Sequence, residues 1–248
     1  MSRLVFLGTA GDPISMGLQA RGTGGIVLQH ERVQLHLDPG PGALARARQY
    51  GVNPRETTVV LVSHAHLAHC GDLNATVSAM THGGLDKRGV VAGHESTVTE
   101  PVLWNYYQQC LERIIPLQPG KRFAIENVEI LATATRHSAP GVGFRLLFPT
   151  FSLGYLSDTG YSREIAEQYL DSDVLVVNVP VLESAEHHLS VEDAIHLVNL
   201  VKPSLAILTH FGTKIADPLY EARRVQLATH IQCIAARDGM VIDPERGI

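Results

Sequence analysis

The sequence predicts an α/β layered sandwich, with sheets packed together and helices outside. Short apolar, β-rich runs recur through the chain, first as meanders and later interleaved with helical stretches. Nothing in it is low-complexity or reads as a linker. At 248 residues, 45% of them hydrophobic, the chain can bury a full core.

Residues 4–8, 26–30 and 33–38 read as strands, and 57–62 as the next. Between the last two, Asp38-Pro39-Gly40-Pro41-Gly42 is turn chemistry and the Ala- and Arg-rich run 43–50 is helical. Cys70-Gly71-Asp72-Leu73-Asn74 leads into a helix reaching residue 81, followed by a strand at 89–93. Residues 98–111 are expected as one helix carrying Trp104, Tyr106 and Tyr107, aromatics that suit a core or a surface ridge better than a substrate wall. Strands follow at 127–135, 143–148, 151–157 and 174–179, with a helix at 163–169 between the last two. Ser190 caps a helix over 191–201, with Asp193 three residues on and Ile195, Val198 and Val201 at apolar positions. Lys202-Pro203 stops it. A buried-type strand at 205–209, a helix at 218–228 and strands at 231–235 and 240–242 finish the chain.

The net charge of −5 argues against holding nucleic acid by overall charge. Lys87-Arg88, Lys121-Arg122 and Arg223-Arg224 read as solvated dibasic pairs. Cys70, Cys110 and Cys233 are odd in number and widely spaced, so a disulfide framework is not expected and a reducing, cytoplasmic setting is. The first six residues read as a strand without the pattern of a signal peptide, and no apolar run approaches the roughly 18 residues of a membrane helix.

The densest chemistry is Ser63-His64-Ala65-His66-Leu67-Ala68-His69, directly behind the apolar run 57–62. His64 and His66 share one side of an extended backbone, since side chains repeat every second residue. His69 falls where a helix should begin, which swings a third nitrogen toward the same point. Clustered imidazoles suit zinc and its neighbours, with carboxylates completing the shell. His137, Asp158 and His210 each stand just past an apolar strand as well. Strand ends gather along one edge in layered α/β proteins, so several polar residues delivered there form a convergent pattern.

The chain resembles the metallo-β-lactamase fold hydrolases, and within them is most similar to the ribonuclease Z-like branch. The matching pieces are Asp38-Pro39-Gly40, His64-x-His66-x-x-His69, Arg136-His137-Ser138-x-Pro140, Ser157-Asp158-Thr159-Gly160, His188-Leu189-Ser190 and Leu208-Thr209-His210-Phe211. The resemblance implies a four-layer αβ/βα sandwich of two facing mixed sheets with outer helices, made as one domain over 1–248 from two pseudo-equivalent βα halves, about 1–135 and 136–248. It implies that His64, His66 and His137 bind one metal, that His69 and His210 bind a second, and that Asp158 bridges them. Asp38 would hold the ligand loop through hydrogen bonds. His188 would lie near the phosphate as a catalytic acid or donor, beside the catalytic Asp158. The neighbouring His187 has no such match and is expected in solvent.

One departure bears on activity. The family run carries Asp where this chain has Ala68. Without that carboxylate the second site keeps three protein ligands and an open position, with lower affinity expected. Asp72 lies one helical turn further on and is a poor replacement. Ala68 is either natural, marking an altered centre, or an Asp→Ala change in a competent one. The expected function is a metal-dependent hydrolase, with zinc as one or two ions and manganese or iron as alternatives. A metal-bound hydroxide would attack a phosphodiester, RNA or a small molecule, with homodimerisation implied by the branch. The alternatives are hydrolysis of a lactone, thioester or amide, and a non-catalytic metal-binding or ligand-recognition protein. Redox chemistry at a di-iron site is disfavoured, because no flavin-binding domain is seen.

Overall fold

The computed structural model describes residues 2–247. Strand β1 (Arg3–Phe6) and helix α1 (Pro13–Leu18) precede a β2 (Ile26–His30), β3 (Val33–Leu37) hairpin and helix α2 (Ala43–Gln49). Next come β4 (Val59–Val62), α3 (Leu67–Cys70), α4 (Leu73–Thr81), β5 (Val90–His94), α5 (Glu95–Val98), α6 (Asn105–Gln109) and β6 (Arg113–Leu117). A meander of β7 (Arg122–Ile125), β8 (Val128–Ala134), β9 (Val142–Leu147) and β10 (Ser152–Tyr155) follows. The chain continues with α7 (Arg163–Glu167), β11 (Val174–Asn178), α8 (Val191–Val201), β12 (Leu205–Thr209), α9 (Pro218–Thr229), β13 (Gln232–Ala235) and β14 (Val241–Ile242).

The strands form two mixed seven-stranded sheets, ordered β14-β1-β2-β3-β4-β5-β6 and β13-β12-β11-β10-β9-β8-β7. This is the expected sandwich. The change of sheet does not fall at residue 135, however. β7 and β8 already belong to the second sheet, because short turns pair them antiparallel with β9, and β14 returns to the first sheet beside β1.

Alternation explains the layering. In β4, Val59 and Leu61 face the second sheet while Val60 and Val62 face α4. A strand covered on both faces reads as a continuous apolar run, as β4 does. Phe6, Leu35 and Leu61 of the first sheet share one core with Ile130, Phe144 and Ile207 of the second. Each such fully buried side chain contributes about 1.5–3 kcal/mol. α8 buries Ala194, Leu197, Val198 and Val201 on the outer face of the second sheet. Its Ser190 and Asp193 form a complete capping box, and Lys202 ends it in the left-handed region.

The helix expected over 98–111 is instead two short helices, α5 and α6, with turns between. Pro101 supplies no N–H and restricts the residue before it, which breaks the helical run. Trp104 and Tyr106 are exposed, as a surface ridge. α1, β6 and β7 were not expected from the sequence; Pro116 within β6 and the shortness of the four-residue β7 mask the pattern of these two strands. Among the described residues no helix is long and apolar enough to cross a membrane. The three cysteines are buried free thiols, and burial pushes Cys70 up to about 11 and Cys233 up to about 12.

The parallel strands of each sheet end on one shared rim. There the sheets are tied by isolated bridges between His64 and Gly141 and between Ala10 and Phe211.

Candidate metal centre

Each polar residue on that rim is placed by a turn directly behind a strand. His64 follows β4, His66 caps α3 with extended backbone, and His69 lies within α3. His137 follows β8, Asp158 follows β10 and His210 follows β12. Asp38, Ser157 and His210 take positive φ of 52°, 58° and 58°. Left-handed backbone at non-glycine residues costs on the order of 1 kcal/mol each and clusters at functional sites. Here it turns the chain sharply off three strand ends. Gly141 lets the second sheet approach, since a Cβ there would come within 2.8 Å of the His64 Cβ.

Two groups of donors result. His64, His66, His137 and Asp158 offer atoms that all lie within 4.8 Å of one another, and so do His69, Asp158 and His210. His66 Nδ1 is 3.1 Å from His64 Nε2 and 3.1 Å from His137 Nε2. Nitrogens on a tetrahedral zinc at about 2.05 Å stand about 3.3 Å apart, so this spacing suits one cation. In the second group, Asp158 is 3.4 Å from His69 Nε2 and 3.3 Å from His210 Nε2.

The outer ring nitrogens show which lone pairs face inward. His137 Nδ1 donates to the His187 carbonyl at 3.0 Å, leaving Nε2 as a free donor atom. His69 Nδ1 donates to Asp38 Oδ2 at 2.8 Å, while its buried Nε2 has no hydrogen-bond partner. His64 Nδ1 reaches Ser63 Oγ at 3.0 Å, and that hydroxyl donates to Asp38 at 2.7 Å. These tautomers are assigned from the hydrogen-bond network. The orphaned His69 Nε2, the inward nitrogens converging on His66 and a shared carboxylate fit a divalent cation in both groups.

Asp38 is the hub beneath. It accepts from the Ser63 N–H, the Ser63 hydroxyl, His69 and the Tyr155 hydroxyl, all at 2.7–2.8 Å. Tyr155 comes from the second sheet, so this carboxylate also locks the two sheets together. Asn178 Nδ2, at the end of β11, donates to Asp158 Oδ1 at 2.8 Å.

The charges follow from burial and neighbours. Burial would raise Asp158, but His210 and His69 override it and hold its carboxyl well below the usual range. Burial would lower His69, but Asp158 and Asp38 on either side raise it to about 10. Burial, then the charge on His69, holds His64 far below the usual imidazole range. Burial and then His137 lower His66. Burial, followed by Asp38, pushes the Tyr155 phenol well up.

All six residues expected as ligands therefore lie at one rim. His188 lines the cavity above them, half-buried, its ring centroid 5.0 Å from that of His137, and burial lowers it. Its Nδ1 is buried without a partner. His187, expected in solvent, is instead partly buried and its carbonyl orients His137. Asp72 points elsewhere, accepting from the Gly42 N–H at 3.0 Å. Tyr155 and Asn178 escaped sequence reading. The available signal for Asn178 was the one that found the others, a polar residue closing an apolar strand.

Residues 34–211 match the beta-lactamase superfamily domain. The chain belongs to this superfamily. A protein of Methanocaldococcus jannaschii described as uncharacterized is 34% identical over 97% of this chain and 94% of its own length. The ribonuclease Z of Methanopyrus kandleri is a more distant relative, 28% identical over 58% of this chain and 50% of its own. Among solved structures, the metallo-beta-lactamase fold protein YhfI of Bacillus subtilis superimposes with a TM-score of 0.82 at 17% identity, covering 97% of this chain and 98% of that one. A diphosphatase of the PhnP family superimposes with 0.74 at 18% identity, covering 98% of each. Together with the histidine and aspartate cluster, membership makes this chain a metal-dependent hydrolase of the metallo-β-lactamase superfamily.

Proposed function

We propose that this hydrolase cleaves a phosphodiester, with zinc as one or two ions. His64, His66 and His137 would hold one ion, His69 and His210 the other, with Asp158 common to both. A cation bound there lowers the pKa of water from about 15.7 toward roughly 7, so that attack is available at neutral pH. The residues of the chain do the rest. Asp38 keeps His69, and through Ser63 also His64, in the tautomer that aims a lone pair inward. Asn178 fixes the rotamer of Asp158.

The observation that carries the reading is His188. It stands over the same cavity as Asp158 and His210, with a buried, unpartnered nitrogen. A ring so placed, kept neutral by its burial, can donate an N–H to a phosphoryl oxygen. The diphosphatase and ribonuclease Z named among the relatives support phosphorus as the centre attacked.

The test is cleavage of bis(p-nitrophenyl) phosphate by the zinc- or manganese-loaded chain, beside Ala68→Asp. Turnover that rises in Ala68→Asp and falls by about 10²-fold or more in His188→Ala is expected. No turnover with either metal in either protein, or faster cleavage of a lactone panel, would overturn it.

A further inference from the structure

His66, His69, Asp158 and His210 of the donor cluster floor a cavity of about 720 Å³, a volume suited to a whole small molecule. Its facing wall is apolar. Ile14 and Met16 of α1, Leu67 of α3 and Val181 behind β11 line it together with the donors, His188 and Lys214. Ile14 and Leu67 are 60% and 65% exposed. A single exposed apolar side chain is ordinary; two large ones on the cavity that also holds the reactive groups mark a binding surface.

The wall is held rigidly against the centre. Asp12 caps α1 through the Ser15 N–H at 2.6 Å, and its other oxygen accepts from the Thr213 N–H at 2.5 Å and the Thr213 hydroxyl at 2.9 Å. The Gly11 N–H donates to the Phe211 carbonyl at 2.9 Å. A Cβ on Gly11 would stand 1.8 Å from the His210 carbonyl oxygen, so only glycine lets α1 come this close. α1 is thus fixed to the segment that begins with His210, and the distance between wall and donors is set in advance.

The charge is equally specific. Among the described residues lining the cavity, Lys214 is the one lysine or arginine. Affinity for a polynucleotide grows with the number of phosphates met by cations, and one cation meets one.

Resting on the phosphodiesterase reading above, we propose that the substrate is a small phosphodiester with one apolar arm, alkyl or aryl. The arm packs against Ile14, Met16 and Leu67, and Lys214 faces the phosphate charge. A water oxygen bonds to phosphorus, one ester P–O bond breaks, and the proton from water ends on the departing alcohol. The products are a phosphomonoester and that alcohol, and water is the only co-reactant.

The test is a series of p-nitrophenyl alkyl phosphates, methyl to octyl, on the zinc-loaded chain. kcat/KM is expected to rise roughly threefold per methylene over the first few carbons. In the double variant Ile14→Ser, Leu67→Ser the octyl-to-methyl ratio should fall at least roughly tenfold, with thermal unfolding confirming that these exposed positions leave the fold intact. Calorimetry gives a reading free of turnover: octylphosphonic acid should bind at least roughly tenfold more tightly than methylphosphonic acid, and the double variant should remove the difference. Esters cleaved without regard to chain length would overturn the arm while sparing the hydrolase. Tighter octylphosphonate binding without any cleavage would do the reverse. Faster cleavage of a single-stranded oligonucleotide, or a double variant that turns a dimer into a monomer with the ratio unchanged, would also overturn it.

Discussion

The two donor groups share Asp158 but are held in different ways. His69 and Asp158 are 2% and 5% exposed, and their outer atoms are taken by Asp38 and Asn178. Of the other group's histidines only His64 is buried; His66 is exposed, and His137 is steadied by a loop carbonyl. The group of His69 is built into the seam between sheets and also lines the cavity, whereas of the other group's histidines His66 alone reaches that lining. A seam site is pre-organised by groups that also hold the fold together, whereas the other group relies on a loop carbonyl and a more exposed ring. Asp158 is the one carboxylate among the donors described in either group, so both depend on it for negative charge.

The largest effect is expected from Asp158→Asn, which strips the charge common to both groups. Breaking a buried charge pair costs on the order of 3–5 kcal/mol, so cation affinity should fall a hundredfold or more in both groups. Metal content after dialysis measures it, and full retention of one ion per chain would show that the groups are independent.

Asp38→Asn should separate them. Removing an outer-shell partner typically costs 10–100-fold in metal affinity. The loss should be larger for the group containing His69, which Asp38 touches directly, than for that containing His64, which it reaches through Ser63. Chelator competition resolves the two, and equal losses would erase the distinction.

The smallest effect is a proton count. His69 in the metal-free protein is raised to about 10, so between pH 6.5 and 10 the folded state holds a proton that the unfolded state has lost. Its contribution to stability is complete below 6.5 and disappears as pH rises through 10. Zinc binding at pH 8 must displace that proton, whereas His64 and His66, both lowered, are already neutral. Calorimetry in buffers of different ionisation enthalpy should find about one more proton released by the native chain than by His69→Gln. Release absent in the native chain, or unchanged in His69→Gln, would contradict it.

Much of this was legible in advance because its causes are local. The capping box at Ser190 and Asp193 and the alternation in β8 act within a few residues, and both elements lie close to where the sequence placed them. The break at Pro101 was also written locally but was outweighed by the surrounding aromatic run. β6 and β7 sit beside one another in sequence at the far edges of different sheets, with half their residues exposed, so their periodicity is weak.

By itself the sequence determined the strands, the turns behind them and the polar residues at their ends, because backbone preference and side-chain periodicity are properties of short segments. Only the tertiary structure decided that Tyr155 crosses 117 positions to Asp38, that the His187 carbonyl orients His137, and that α1 walls the cavity through Asp12 and Thr213. These are contacts between distant stretches of chain. No local pattern encodes them, and they exist only once two hydrophobic faces have closed on each other.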